Sequence, residues 1–188
     1  MTPPTSETIL QQQEANMDSP ARHSVPLQEL TDEAFAPYGD IIKPRKSGEQ
    51  GDRNYAYRPG QEETHVDLTI TNGEPLLRIM HQFKRGLIFT ILARHRRVSQ
   101  CLGALQGKEW FIAVAAPTDF ADDAHPRLDQ VTAFRIPGDR IIKLHVGIWH
   151  AGPHFIHDEC MFLSLENTDT NTSDFQYMPL PMECRIED

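Results

Sequence analysis

Ile136-Pro137-Gly138-Asp139-Arg140-Ile141-Ile142-Lys143-Leu144-His145-Val146-Gly147-Ile148-Trp149-His150-Ala151-Gly152-Pro153-His154-Phe155-Ile156-His157 is the stretch on which the reading of this chain turns. It combines a turn, a strand and four of the nine histidines. Pro137-Gly138-Asp139 predicts a tight turn, because proline presets φ, glycine tolerates positive φ and aspartate bonds its own backbone. A strand should follow: from Ile142 the apolar residues Leu144, Val146 and Ile148 recur at period two, and His150 continues their face. Strict alternation puts His145 on the opposite face, unless a bulge at Gly147 reverses the parity. A histidine at the end of a buried stripe is either a satisfied structural group or one that handles protons or metal.

Working outward, Val131–Ile136 is expected to pair with that strand, and Trp110–Ala115, the most apolar run, should be central. Leu102–Gly107 reads as a connection and Pro117–Gln130, with His125, as a surface loop. Leu87, Phe89, Ile91, Ala93 and His95 share one parity, so a second histidine is expected to face inward. Arg94, Arg96 and Arg97 surround it, with Lys84-Arg85 upstream, forming a cationic cluster that either focuses a small anion or blunts a strand edge. Gln100 closes that segment as a hydrogen-bonding group or weak oxygen ligand. Val66–Ile70 and Pro75–Met80 read as strands joined by an Asn72-Gly73 hairpin turn. Asn54 to Arg58 alternates like a strand, and Arg58, before Pro59-Gly60, suits bidentate capture of a carboxylate or simple exposure at a strand end. Further upstream, Val25–Leu30 suggests a strand, Thr31-Asp32-Glu33 caps a short helix through Phe35, and Ile41-Ile42 begins another strand. Cys160–Leu165 is expected as a late strand, with Met161, Leu163 and Leu165 on one face.

Composition narrows the class. At 188 residues the chain fits one domain, and 14 prolines and 11 glycines among short apolar runs favour strands and turns over a helical bundle. Residues 1–23 read as a flexible arm, 24–180 as the folded domain and 181–188 as a C-terminal tail. A formal charge of -9 argues against a nucleic-acid surface and lends no support to an anionic membrane, leaving a small anion as the expected partner. Cys101, Cys160 and Cys184 show neither CxxC spacing nor an even count, which fits reduced thiols. With no apolar run of membrane length and no signal-like N-terminus, the cytosol is the expected compartment.

Taken together, the strand and turn succession, the Pro-Gly-Asp turn and the following Gly-x-x-His resemble the cupin superfamily. The resemblance implies an all-β fold, a cupin-type double-stranded β-helix (a jelly-roll-like barrel) with one short N-terminal helix. Cupins usually place two histidines, a glutamate and a further histidine around a metal; Ala93, His95, Gln100 and His150 hold the corresponding places here. A divalent metal, if one is bound, would therefore rest on His95, Gln100 and His150, and the cofactor is left unknown. Ala93 and Gln100 replace two usual ligands.

A narrower resemblance is to the ureidoglycolate lyase family, also called ureidoglycolate hydrolase, of allantoin breakdown. It is carried by Leu30-Thr31-Asp32-Glu33-Ala34-Phe35-Ala36-Pro37-Tyr38-Gly39-Asp40-Ile41, by Ala93-Arg94-His95 with Gln100, and by His145-Val146-Gly147-Ile148-Trp149-His150. This chain departs from the family pattern at Ala93, at Ala151 and at Leu165-Glu166-Asn167. The resemblance implies cleavage of a ureido-bearing hydroxy-carboxylate to glyoxylate and urea. It implies His95 and His150 as acid and base with His145 as a further contributor. Arg94 or Arg58 would hold the carboxylate, Gln100 and Asn54 would orient polar atoms, Trp149 would exclude water and Lys143 would assist. A cupin-like binding or sensing protein and a metal-dependent oxygenase are the rival readings. Exposed edge strands lead to the expectation of a homodimer.

Overall fold

The computed structural model describes residues 22–43, 64–121 and 124–187. Asn54 and Arg58, with the charged loop around them, lie outside the described residues, as do residues 1–21 of the expected arm. The chain forms an all-β, cupin-like barrel of two sheets, with very few helical residues. The N-terminal half supplies β1 (His23–Val25), β2 (Leu27–Glu29), α1 (Asp32–Phe35), β3 (Gly39–Ile42), β4 (Pro75–Phe83), β5 (Ile88–Arg94) and β6 (Gln100–Ala104). The C-terminal half supplies β7 (Gly107–Ala115), β8 (Thr132–Gly138), β9 (Ile141–Leu144), β10 (Trp149–His154), β11 (Glu159–Asn167), α2 (Thr170–Ser173) and β12 (Gln176–Ile186). One sheet has the order β1-β12-β5-β10-β7-β8-β2 and the other β3-β9-β6-β11-β4.

β1 and β2 are the two edges of the seven-stranded sheet, yet only Pro26 separates them in the chain. Two virtual Cα bonds span at most about 7 Å, so the sheet must curl until its edges nearly meet. Its hollow is filled by Val25, Leu92, Phe111, Ala113, Ala133, Trp149 and Ile186, all from that sheet and its flanks. A second core lies between the sheets, where Trp110, Ile112, Val114 and Phe134 meet Leu102, Ile142, Leu144 and Phe162, with Phe35 of α1 as a plug. Burying each such large apolar side chain contributes about 1.5–3 kcal/mol, so both cores matter to stability. β7 serves both, its alternate residues facing opposite cores.

Several sequence expectations meet this structure differently. The strand expected from Ile142 to His150 is two strands in different sheets, because the chain turns a corner at Gly147, whose φ is +85°. Gly147 N–H donates to His95 O at 2.7 Å, and a Cβ there would sit 2.4 Å from the Phe120 ring. Leu102–Gly107 is not a plain connection: β6 runs through Ala104 and takes half of it, and the turn follows at Gln106 and Gly107, both with positive φ. Val66–Ile70 forms no regular strand and no hairpin with β4; Ile70 bridges Val98 instead, flanked by Thr71 N–H to Arg97 O and Ser99 N–H to Thr69 O. Residues 181–186, expected in a tail, continue β12, which pairs with β5 and β1. α1 is capped as expected, Thr31 Oγ1 accepting from Ala34 N–H at 3.2 Å. All three cysteines are free and buried.

Candidate active site

Between the sheets, the space not filled by the aromatic core is a cavity of about 480 Å³, a common size for a small-molecule site. Its walls are Arg78, Met80 and Gln82 of β4, the run from Ile88 to Ile91 with Ala93 of β5, Gln100 and Leu102 of β6, and the β10 segment from His150 to His154. Asn171 and Phe175 close one side.

His95 and His150 both line this cavity, with ring centroids 5.3 Å apart. His95 follows β5 on the cavity parity, while His150 pairs across the sheet with Ala93. Each ring is oriented by a main-chain carbonyl: His95 Nδ1–H donates to Asp174 O at 3.1 Å and His150 Nδ1–H to Ile148 O at 3.1 Å. In a neutral imidazole that arrangement leaves Nε2 as the lone-pair nitrogen. Burial is the largest influence on both and disfavours the charged ring. It lowers His95, opposed by the Asp174 carbonyl and by the charges of Asp174 and Glu166, and with neighbouring His95 it lowers His150 to about 3.

Beneath the pair lies a polar cluster centred on Glu166, which is wholly buried. Arg78 Nη2 pairs with its Oε1 at 2.6 Å, Gln100 Nε2 donates to its Oε2 at 2.6 Å, and Asn171 Nδ2 donates to Oε1 at 3.2 Å. Arg78 therefore brings a guanidinium into the cavity wall, and its Nε has no protein partner. The sequence reading passed over Arg78, although a lone arginine between Leu76 and Met80, on the inward parity of an apolar strand, was a visible sign. Asp174 and Asn171 were missed for another reason: nothing local marks a segment that folds back over a distant strand, whereas His154, considered with His145 as a histidine that could make up for a lost ligand, does line the cavity.

Other expected site residues lie elsewhere. Arg94 is on the opposite parity from His95, wholly buried in the curled sheet, where it donates to Gln176 Oε1 at 2.7 Å, Asp119 O at 2.5 Å and Ala121 O at 2.7 Å. Its guanidinium carbon lies 4.4 Å from the centre of the Trp149 ring. Arg94 and Trp149 thus brace the wall from behind and do not line the cavity. His145 is exposed at the β9–β10 corner, away from the cavity lining. Lys143 lies on the outer parity of β9, paired with Asp40 and donating to Asp67 O at 2.9 Å. Of the expected set among the described residues, the fold brings together His95, His150 and Gln100.

That set suits proton transfer better than metal binding. His95 and His150 offer two imidazole nitrogens, Ala93 offers none, and Gln100 is turned by its amide toward Glu166. Among the described residues no three His, Cys, Asp or Glu side chains gather as metal ligands. A divalent ion in such a site generally takes three protein ligands or more. The donor set falls short, and no chemical step is routed through a metal.

The fold and cavity define a cupin-like barrel whose site is a histidine pair lining a cavity beside an arginine–glutamate cluster. A family model described as ureidoglycolate lyase matches residues 22–187, and the chain belongs to that family. It is 29% identical to the ureidoglycolate lyase of Pseudomonas entomophila (strain L48), over 81% of this chain and 90% of that protein. It is 26% identical to that of Stutzerimonas stutzeri (strain A1501), over 80% of this chain and 87% of the relative. With the ureidoglycolate lyase of Pseudomonas putida (strain W619) the identity is 30%, over 66% and 72% respectively.

Proposed function

We propose that this protein is a ureidoglycolate lyase, releasing glyoxylate and urea in allantoin breakdown, and that it works in the cytosol as a homodimer. Family membership over residues 22–187 supports the reaction. The observation that carries the site is the convergence of two Nδ1-anchored imidazoles and the Arg78 guanidinium on one cavity.

The substrate carbon bears a hydroxyl, a carboxylate and a ureido nitrogen. Arg78, held by Glu166 through Nη2, receives the carboxylate through its unpartnered Nε–H, a charge-assisted contact. His95 Nε2 removes the hydroxyl proton; the oxygen's electron pair forms the carbonyl of glyoxylate, and the carbon–nitrogen bond breaks with its electrons going to nitrogen. That nitrogen takes a proton and leaves as urea. His95 is the better base because the Asp174 carbonyl and the charges of Asp174 and Glu166 favour its protonated form. Burial keeps that imidazolium acidic enough to return its proton to the leaving nitrogen. His150, neutral and beside it, accepts a hydrogen bond from the substrate at Nε2 and orients it against His95.

The test is direct. Purified protein incubated with ureidoglycolate should yield equal amounts of glyoxylate and urea above the uncatalysed background. His95→Ala and His150→Ala should each lower kcat by about 100- to 10,000-fold while the barrel stays folded, as one general acid or base usually contributes that much. Background-level release by folded wild-type protein would refute the lyase reading; near-wild-type turnover in both variants would refute the site.

A further inference from the structure

We infer that the far end of the cavity, walled by Gln82, Arg85 and His154, is a subsite for the neutral ureido group, with His154 and Gln82 as its specificity-determining residues. The inference rests on the lyase reading and extends it to how the substrate is chosen.

His154 is only 2% exposed and lies in the cavity wall. Its Nδ1–H donates to Gly86 O at 3.0 Å, which leaves Nε2 as the lone-pair nitrogen, and that atom is buried without a partner. Burial lowers the ring to about 4, so near neutrality it is an acceptor. Gln82 Oε1 is a second buried acceptor without a partner, its amide nitrogen reaching only Met80 Sδ at 4.0 Å. Buried polar atoms are nearly always paired, so two unmatched acceptors in one cavity wall call for a ligand rich in N–H donors. Arg85, whose charge also lowers His154, makes this end unfavourable for an ammonium. A neutral amide is the donor that remains.

Length agrees with that choice. His150 pairs with Val114 and His154 with Phe111, so four steps along β10 cover three along β7, because of the bulge between them. At about 3.3 Å per residue the two histidines stand roughly 10 Å apart. From a hydroxyl held at the histidine pair, through the carbon and an extended ureido group, to a hydrogen bond at His154 is also roughly 10 Å. The carboxylate is then left beside Arg78 at the opposite end.

Two stable ligands test this without turnover: oxalurate, which keeps the carboxylate and the whole ureido group, and oxamate, which keeps the carboxylate but lacks the terminal carbamoyl. By titration calorimetry the wild-type protein should bind oxalurate at least about 10-fold tighter than oxamate, the scale of an otherwise unmatched buried acceptor. His154→Phe and Gln82→Leu, each confirmed folded by circular dichroism, should bring that ratio toward one with oxamate affinity unchanged. Equal binding of the two ligands by wild type, or an undiminished ratio in whichever variant folds, overturns the subsite. Failure of wild type to bind either ligand overturns the lyase reading along with it. Oxalurate preference without glyoxylate release leaves the subsite standing and removes the lyase reading alone.

Discussion

Each of His95 and His150 donates its Nδ1–H to a main-chain carbonyl, so orientation and tautomer are settled before any ligand arrives. Burial holds both rings below the free-histidine value, and the pH behaviour follows from the direction of that shift. Activity should persist below pH ~6.5, where an unperturbed histidine would already be half protonated, and the acid limb of kcat/KM should lie beneath it. For stability, the unfolded chain takes up these protons first as pH falls. The contribution is therefore intact above pH ~6.5 and is lost as pH drops through the folded-state values, about 3 for His150 and about 4 for His154. Denaturant titrations at neutral and mildly acidic pH should show this loss, and His150→Phe should diminish it. Arg78 offers a complementary test. Arg78→Lys keeps the charge but not the planar fork, so KM for ureidoglycolate should rise by about 10-fold or more with kcat less affected. An unchanged KM would remove Arg78 from carboxylate binding.

At the scale of elements, the site depends on segments that reach back across the fold. Asp174, following α2, accepts N–H donors from Arg96 at 2.8 Å and Arg97 at 2.9 Å through its carboxylate, while its carbonyl anchors His95. Arg97 also pairs with Asp169 at 3.0 Å, tying both ends of α2 to the β5–β6 turn. Asp174→Ala should cost about 0.5–2 kcal/mol, as for loss of a helix-capping carboxylate, and should alter the His95 ring-nitrogen NMR signals if the clasp orients that ring. Gly147 governs a different joint. Its φ of +85° and the nearby Phe120 ring leave no place for a Cβ, so Gly147→Ala should lower stability by about 1–2 kcal/mol or more in chemical denaturation. This corner also explains a sequence misreading: the period-two pattern through Ile148 was correct locally, but nothing in the alternation announced that Gly147 sends the chain to the other sheet.

For the whole molecule, the distribution of apolar surface bears on assembly. β4 is an edge strand of the five-stranded sheet, and its outer row exposes Leu77 at 63%, Ile79 at 63% and Phe83 at 69%. An unpaired, apolar antiparallel edge suits isologous pairing with the same strand of a second copy. Light scattering should give the mass of a dimer, and Ile79→Lys should convert it to a monomer that keeps its cavity, whose lining lies on the other parity. A monomeric wild-type protein would end the homodimer proposal. Among the described residues no helix is long and apolar enough to cross a membrane.

The sequence alone determined the alternation of β5 and β11, the apolar run of β7, the places of β4 and β8, the Thr31 cap, and the inward parity of His95. These depend on neighbours along the chain: backbone period, proline and glycine conformations, and side-chain donors within a turn. The ureidoglycolate lyase resemblance, likewise legible from short motifs, agrees with the family match. Only the tertiary structure decided that Arg78 rather than Arg94 enters the cavity, that Glu166 binds Gln100 and Arg78, and that Asp174 orients His95. Those partners are separated by tens of residues, as from Arg78 to Glu166 and from His95 to Asp174, and meet because two sheets curl around a shared space. Local periodicity carries the direction of a side chain from its own strand, but whether a cavity, a core or another charge awaits it there depends on strands brought alongside by the fold.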